Sequence, residues 1–441
     1  MLFSCQTTLP ISNTYTDSTA NVNEREVSDS STSSPNNTQA GSYTMVVEGY
    51  DWGPAVSKVI IPLGTTISFI QKENYSVTIK KETVYKELTT EEATGERTIL
   101  YAYVSDEKGE KIEKGKHATL VLLVAPNLPI SSPMMYIPSF NGNVWVDYEM
   151  TITNNYANQV WNIESNRIHP LVDDFDITGK FKYNKEVSLT YADYTPTTSQ
   201  EKIPLIIWLH GGGEGGIDPS IALLANRAAN YASPEIQAFF GGAYVLVPQT
   251  PTFWMDNGQG EYTLGDVNDR YNEGLMALIK DYVAKHPKID ENRIYVGGCS
   301  NGGYMSLKLM LLHPDYFAAS FPSALAYHAQ YISDEQIESI KEMPIWFIHS
   351  KDDSVTKPEN TVLPIYNRLM EAGAENVHFS YYDHVVDITG FFGGDNYHYL
   401  GHFSWIYCHA NLCTLDYDKQ PVTFNGRAVT IMEWMAAQKR K

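Results

Sequence analysis

Arg293-Ile294-Tyr295-Val296-Gly297-Gly298-Cys299-Ser300-Asn301-Gly302-Gly303-Tyr304 is the stretch on which the reading of this chain turns. An apolar run reads as a strand, ends in Gly-x-Ser-x-Gly and passes into a helical segment from Gly302 to His313. A bare Gly-x-Ser-x-Gly is common. The strand before it and the helix after it favour a nucleophile over a structural turn, because a tight strand-to-helix turn strains the serine and lifts its hydroxyl clear of the sheet. Gly298 and Gly302 are expected where a Cβ would collide with the neighbouring strand or helix. Ser300 also sits at a helix N-terminus, whose dipole favours negative charge.

Outward from this turn, short continuous apolar runs alternate with helical segments. The runs are 204–209, 243–247, 293–296, 319–321, 345–348 and 377–381, with a hairpin ahead of them at 178–191 and helices at 267–286 and 302–313. Continuous apolarity means burial on both faces, so the prediction is a doubly wound, mostly parallel α/β domain over residues 165–441. From Tyr43 to Pro126 the grammar differs. Short β-branched runs at 45–47, 59–61, 66–70, 75–79, 98–104 and 119–124 are punctuated by turn residues, which predicts an antiparallel sandwich of immunoglobulin-like type, assigned to 43–150. The stretch 127–172 is rich in aromatics, Pro and Asn and reads as an irregular boundary.

Residues 1–42 read as a tail. Thr14 to Ser42 is dominated by Ser, Thr, Asn and Asp and cannot bury enough surface to offset its ordering entropy. Leu2-Phe3-Ser4-Cys5 looks like the end of a bacterial lipoprotein signal whose charged and apolar parts are missing. The expectation is a lipid anchor at Cys5, a flexible tether and a secreted or cell-surface location; the alternative is an ordinary unfolded N-terminus. Cys408 and Cys413 would close a small loop in an oxidising compartment or stay free. A net charge of −20 argues against nucleic acid and anionic membrane surfaces as partners. No run approaches the length of a membrane span.

Three further features carry chemistry. His210-Gly211-Gly212-Gly213-Glu214-Gly215-Gly216 follows the strand 204–209 directly. Its backbone N–H groups, with Gly212 the first choice and Gly213 the next, would form an oxyanion hole together with the N–H of Asn301. Phosphate cradling is the rival reading, but no Lys-Ser/Thr pair follows and Glu214 would repel phosphate. A serine hydroxyl needs a base, and the base needs a carboxylate. Past the strand 345–348, Asp352 and Asp353 compete for the carboxylate. His378, His384, His398, His402 and His409 are the downstream histidines, and His402 stands out in Gly401-His402-Phe403-Ser404-Trp405, where Gly401 would allow an unusual backbone angle.

Taken as a set, Gly297 to Tyr304, His349-x-x-x-Asp353 with Glu359-Asn360, Gly401 to Trp405 and Asp290 to Tyr295 resemble the polyhydroxybutyrate-depolymerase-like and feruloyl-esterase-like α/β-hydrolases, relatives of the prolyl oligopeptidases. The resemblance covers roughly Pro170 to the C-terminus, and an immunoglobulin-like domain ahead of it resembles a group of bacterial esterases. It implies Asp353 rather than Asp352 as the acid, His402 as the base, and Gln249 and Trp254 as lining of the acyl pocket. The chain departs from the pattern at Ser350, where Gly is usual, and at Thr356-Lys357, where Val-Pro is usual.

The resulting expectation is a serine esterase working through Ser300, His402 and Asp353, on short-chain, aromatic or polysaccharide-linked esters. It needs no cofactor, and no zinc-type histidine spacing is present. Two other readings stand beside it: a peptidase of prolyl-oligopeptidase type, and a non-catalytic surface binding protein that uses the sandwich. The sandwich is also a candidate surface for oligomerisation.

Overall fold

The computed structural model describes residues 40–139 and 141–440. Cys5, its expected lipid and most of the expected tether lie outside the described residues.

The first body is an eight-stranded sheet, in spatial order 94–96, 75–82, 147–154, 159–168, 41–50, 53–67, 115–122 and 99–105. It folds over one core that includes Met45, Val47, Val59, Val77, Leu120, Met150, Ile152 and Trp161. Alternation explains the core: in Tyr75–Glu82, Val77 and Ile79 are buried while Thr78 and Lys80 are exposed. Pairings are antiparallel except between Gly41–Tyr50 and Gln159–Ile168, which run parallel. The expectation of an irregular stretch over 127–172 is corrected. Asp147–Asn154 and Gln159–Ile168 are strands of this sheet, and Met134–Ile137 pairs with Gly142–Trp145 as a separate ribbon. Polar residues dominate these strands because one face is solvated, which masks their period in the sequence.

The second body is also an eight-stranded sheet, in order 176–182, 188–194, 244–249, 203–209, 289–299, 319–323, 345–350 and 377–382. The hairpin at its edge is antiparallel and the other six strands are parallel. Burial on both faces is the reason for the continuous apolar runs. In Ile203–Leu209, Leu205, Ile207 and Leu209 pack on one side with Leu275 and Leu278 of helix Asn272–Lys285 and Leu307 of helix Asn301–Leu312. Ile206 and Trp208 pack on the other side with Ile236, Phe240, Trp405 and Trp434. The helix expected from Val267 begins instead at Asn272. The Asp269 carboxylate accepts the N–H groups of Tyr271 and Asn272 at 3.1 and 2.8 Å and so holds the chain in a turn that delays the helix to Asn272.

Among the described residues no helix is long and apolar enough to cross a membrane. Cys408 and Cys413 are free thiols, both buried. The two bodies touch through an ion pair of Arg227 with buried Asp51 at 3.0 Å, an edge-on contact of Trp52 with Phe392, and the ribbon 134–145 over the loop 211–216.

Candidate active site

Ser300 follows the central strand Ile289–Cys299 and precedes the helix Asn301–Leu312. Its φ of 57° and ψ of −117° place a β-carbon-bearing residue in sparsely populated backbone space, at a cost of about 1–3 kcal/mol. Its N–H donates to Ser323 O at 3.0 Å, and its carbonyl accepts from Tyr304 N–H at 2.9 Å, so both neighbours hold the turn. The flanking glycines are required by close approach. A Cβ on Gly302 would lie 2.0 Å from Leu209 O, and one on Gly298 would lie 2.6 Å from the same atom. Among the described residues Ser300 Oγ has no hydrogen-bond partner, so its contact with a base is open in this structure. Such contacts commonly close only when substrate binds.

The two aspartates differ in their surroundings. Asp352 is exposed, bonds Ser350 Oγ and meets His384 Nδ1 at 2.8 Å. Asp353 is buried, and its Oδ2 meets His402 Nδ1 at 2.8 Å. His349 Nε2 lies 3.1 Å from the same oxygen. Thr356 Oγ1 donates to it at 2.8 Å, and the N–H groups of Val355 and Thr356 donate to Oδ1 at 2.8 and 2.9 Å. Burial works against ionisation of Asp353, but the charge of His402 and the bonds from His349 and His402 outweigh it and hold the carboxyl well below the usual range. Thr356, where the resemblance would place Val, is thus one of the groups that orient the Asp353 carboxylate. His349 and Thr356 are the residues that sequence reasoning left without a role. Their only signal was their spacing of four and three residues from Asp353.

His402 is the middle residue of a short turn, Gly401–Phe403, ahead of the helix Trp405–His409. Gly401 has no left-handed φ, so the expected reason for a glycine there is corrected. A Cβ would lie 2.7 Å from the backbone of Asp352, and glycine lets the histidine loop lie against the aspartate loop. The other downstream histidines are engaged elsewhere. His378 meets Asp416 at 2.6 Å, His384 stacks on His398, and His409 is buried against Trp208.

Of the glycine loop, Gly212 lies beside the elbow: a Cβ on it would be 2.7 Å from Asn301 Nδ2 and 2.8 Å from Tyr262 OH. Gly213 is one step farther out, with its carbonyl accepting from Asn143 Nδ2 at 3.0 Å. Asn301 opens a helix, so its own N–H has no intrahelical acceptor, and its side-chain Oδ1 accepts from Trp254 N–H at 3.2 Å. His210 beneath the loop is buried. Its Nε2 accepts from Thr250 N–H at 3.2 Å, so its Nδ1 donates to Gly211 O at 2.6 Å. Burial pushes His210 down to about 4, and the ring stays neutral.

Gln249 and Trp254 do not line an open acyl pocket, and that expectation is corrected. Both are fully buried. Gln249 Nε2 donates to Glu214 O and Asp218 O, each at 2.9 Å, and its Oε1 accepts from Thr190 at 2.9 Å, so it braces the glycine loop from below. Trp254 packs its ring on His210 and Tyr271. The partly exposed aromatics at the loop are their neighbours: Phe253 stacked on Tyr262 at 4.0 Å, and Tyr136 against Gly213. Trp254 is the inward-facing residue of its segment, and its neighbour Phe253 is the partly exposed one.

Among the described residues no group of three or more His, Cys, Asp or Glu could hold a metal ion. A groove of about 780 Å³ lies on the first sheet, lined by Lys80, Glu82, Lys86 and Glu149. It is remote from Ser300, and its mixed charges select no ligand.

Comparison with known proteins agrees with this architecture. Residues 42–161 match the esterase Ig-like N-terminal domain, and residues 252–350 match the prolyl oligopeptidase family. Over 139 residues the chain is 30% identical to feruloyl esterase B of Neurospora crassa, a match covering 31% of this chain and 44% of that protein's own length. The crystal structure of a thermostable esterase superposes with a TM-score of 0.72 at 24% identity, covering 90% of this chain and 99% of the other. The chain therefore has an α/β-hydrolase fold preceded by an immunoglobulin-like domain, the two-part architecture it shares with the thermostable esterase.

Proposed function

We propose that the protein hydrolyses carboxylic esters through an acyl-enzyme on Ser300. The observation that carries this reading is the pairing of Asp353 Oδ2 with His402 Nδ1 at 2.8 Å, at the same sheet edge as the strained serine elbow. A carboxylate on Nδ1 keeps the proton there and leaves Nε2 as the base. Ser300 Oγ attacks the ester carbonyl as His402 Nε2 takes its proton. The same proton then goes to the leaving alcohol, and ionised Asp353 balances the imidazolium. The N–H groups of Asn301 and Gly212, with Gly213 beside them, donate hydrogen bonds to the oxyanion. Water repeats the sequence on the acyl-enzyme. His349 and Thr356 keep the aspartate aligned.

Short-chain or aromatic acyl esters, including those linked to carbohydrate, suit the flat faces of Phe253, Tyr262 and Tyr136 beside Gly212 and Gly213. The match of part of the chain to a feruloyl esterase supports the same class. The second reading, a peptidase, is favoured by the prolyl oligopeptidase match at 252–350.

The test is a panel of p-nitrophenyl acyl esters, methyl ferulate and a peptide anilide, with wild type and Ser300→Ala side by side and a fluorophosphonate label traced by mass spectrometry. Ester turnover and labelling at Ser300, both lost in the variant, support the esterase. Anilide turnover exceeding ester turnover moves the peptidase to first place. A folded wild type that neither turns over nor labels refutes both.

A further inference from the structure

The glycine loop is held by a residue that does not belong to the α/β body. Asn143 lies on the strand Gly142–Trp145 of the ribbon that projects from the N-terminal region. Its single amide group has two protons, and both are used: Nδ2 donates to Gly213 O at 3.0 Å and to Glu214 Oε1 at 2.9 Å. The other carboxylate oxygen of Glu214 accepts from Asn226 Nδ2 at 2.8 Å, and Asn226 also meets Cys299 Sγ, one residue before the nucleophile, at 3.3 Å. Glu214 is buried. A second tether runs parallel to the first: Tyr136 OH donates to Asn141 Oδ1 at 2.8 Å, and Asn141 Nδ2 donates to Tyr262 OH at 2.7 Å, beside Gly212.

A buried carboxylate two residues from an oxyanion donor is a hazard, since a negative charge free to swing toward the developing oxyanion would oppose it. Glycines 211–213 give the loop no side chains of its own with which to resist that motion. The two asparagines do so, one from each body.

We infer that Asn143 is a positioning residue for the reaction: from the N-terminal region it locks Gly213 and Glu214, and so aims the Gly212 N–H at the oxyanion. This rests on the serine-hydrolase reading above. It makes the N-terminal domain a structural part of the active site rather than an appendage to it.

The test uses the full chain. Asn143→Ala removes both bonds, and Asn143→Asp keeps the shape but replaces two donors by a carboxylate facing Glu214. Each is assayed for ester kcat and KM, for inhibition by a boronic acid that mimics the tetrahedral intermediate, for fluorophosphonate labelling and for thermal midpoint. The expected result is a fall in kcat of about 10- to 100-fold, the scale of a misplaced catalytic group. KM should stay within about threefold, boronate affinity should fall in step with kcat, and Asn143→Asp should be the worse of the two. A residue that only supports folding would lower the midpoint and leave kcat per labelled enzyme unchanged. Variants that label at Ser300 and keep kcat within twofold of wild type overturn the positioning role alone. A wild type that does not label at Ser300 overturns the reading beneath it.

Discussion

Replacing Glu214 by Gln should flatten the pH dependence of stability by a defined amount. Glu214 is 5% exposed. Burial, offset in part by Asn226, the Gly211 N–H, His402 and Asn143, raises its carboxyl from the usual 4.5 to about 7. A carboxyl raised on folding binds more protons in the native than in the unfolded chain between those two values, so stability falls as pH rises through that window. The contribution is fully present below pH 4.5 and is lost once the pH passes about 7. The gap corresponds to about 3 kcal/mol. Glutamine has the shape of the protonated acid and cannot ionise. Any constant cost of the substitution cancels when each protein is compared with itself at two pH values. Urea unfolding at pH 5 and pH 8, followed by tryptophan fluorescence, gives four free energies. The drop from pH 5 to pH 8 should be about 2.5 kcal/mol smaller in Glu214→Gln than in wild type, because at pH 5 the unfolded carboxyl is already largely ionised. Parallel profiles that agree within about 0.5 kcal/mol would refute the claim that this carboxylate is forced into a water-poor site.

Asp353→Asn should lower kcat by about 10⁴-fold, because Nδ1 then loses its carboxylate and the imidazole its tautomer. Since the Asp353 carboxyl is depressed on folding, its stabilisation is present above the usual 3.8 and lost as pH falls, so wild type and variant should converge in stability under strongly acid conditions and diverge at pH 7. Gly302→Ala should cost about 3 kcal/mol or more, because the new methyl meets backbone at Leu209 and His210 rather than a side chain that can turn away; a thermal midpoint equal to wild type would contradict the close approach. Arg227→Ala should leave Asp51 buried without its cation, lowering stability by about 2 kcal/mol. It should also speed limited proteolysis between the two bodies, and an unchanged cleavage rate would show that the ion pair does not hold them.

The parts of the fold that were legible in the sequence share one property: local pattern and final burial agree. Leu205, Ile206, Ile207 and Trp208 read as a strand covered on both sides because each faces a helix layer. The strand–serine–helix turn was legible because Gly298 and Gly302 are imposed by contacts within a few residues of the turn and one adjacent strand. The strands at 147–154 and 159–168 were not legible, because their outer faces are polar and, apart from the short hairpin they form with each other, their pairing partners at 75–82 and 41–50 lie far away in the sequence. Gln249 and Trp254 show the same limit at the scale of one side chain. A motif places a segment near Ser300, but whether a residue points inward depends on partners such as Thr190, Asp218 and His210.

By itself, then, the sequence determined the two-body plan, the doubly wound sheet, the Ser300 turn and the glycine loop, since each follows from periodicity or from steric needs along a short stretch of chain. Only the tertiary structure decided which aspartate meets His402, that Thr356 and His349 orient it, and that Asn143 reaches across to the loop around Glu214. Those are contacts between side chains separated by 49 and 71 residues in the cases of His402–Asp353 and Asn143–Glu214. Such contacts exist only after the core has closed and brought distant strand ends to one edge, where a hydrogen bond a few ångströms long selects one residue over its neighbour.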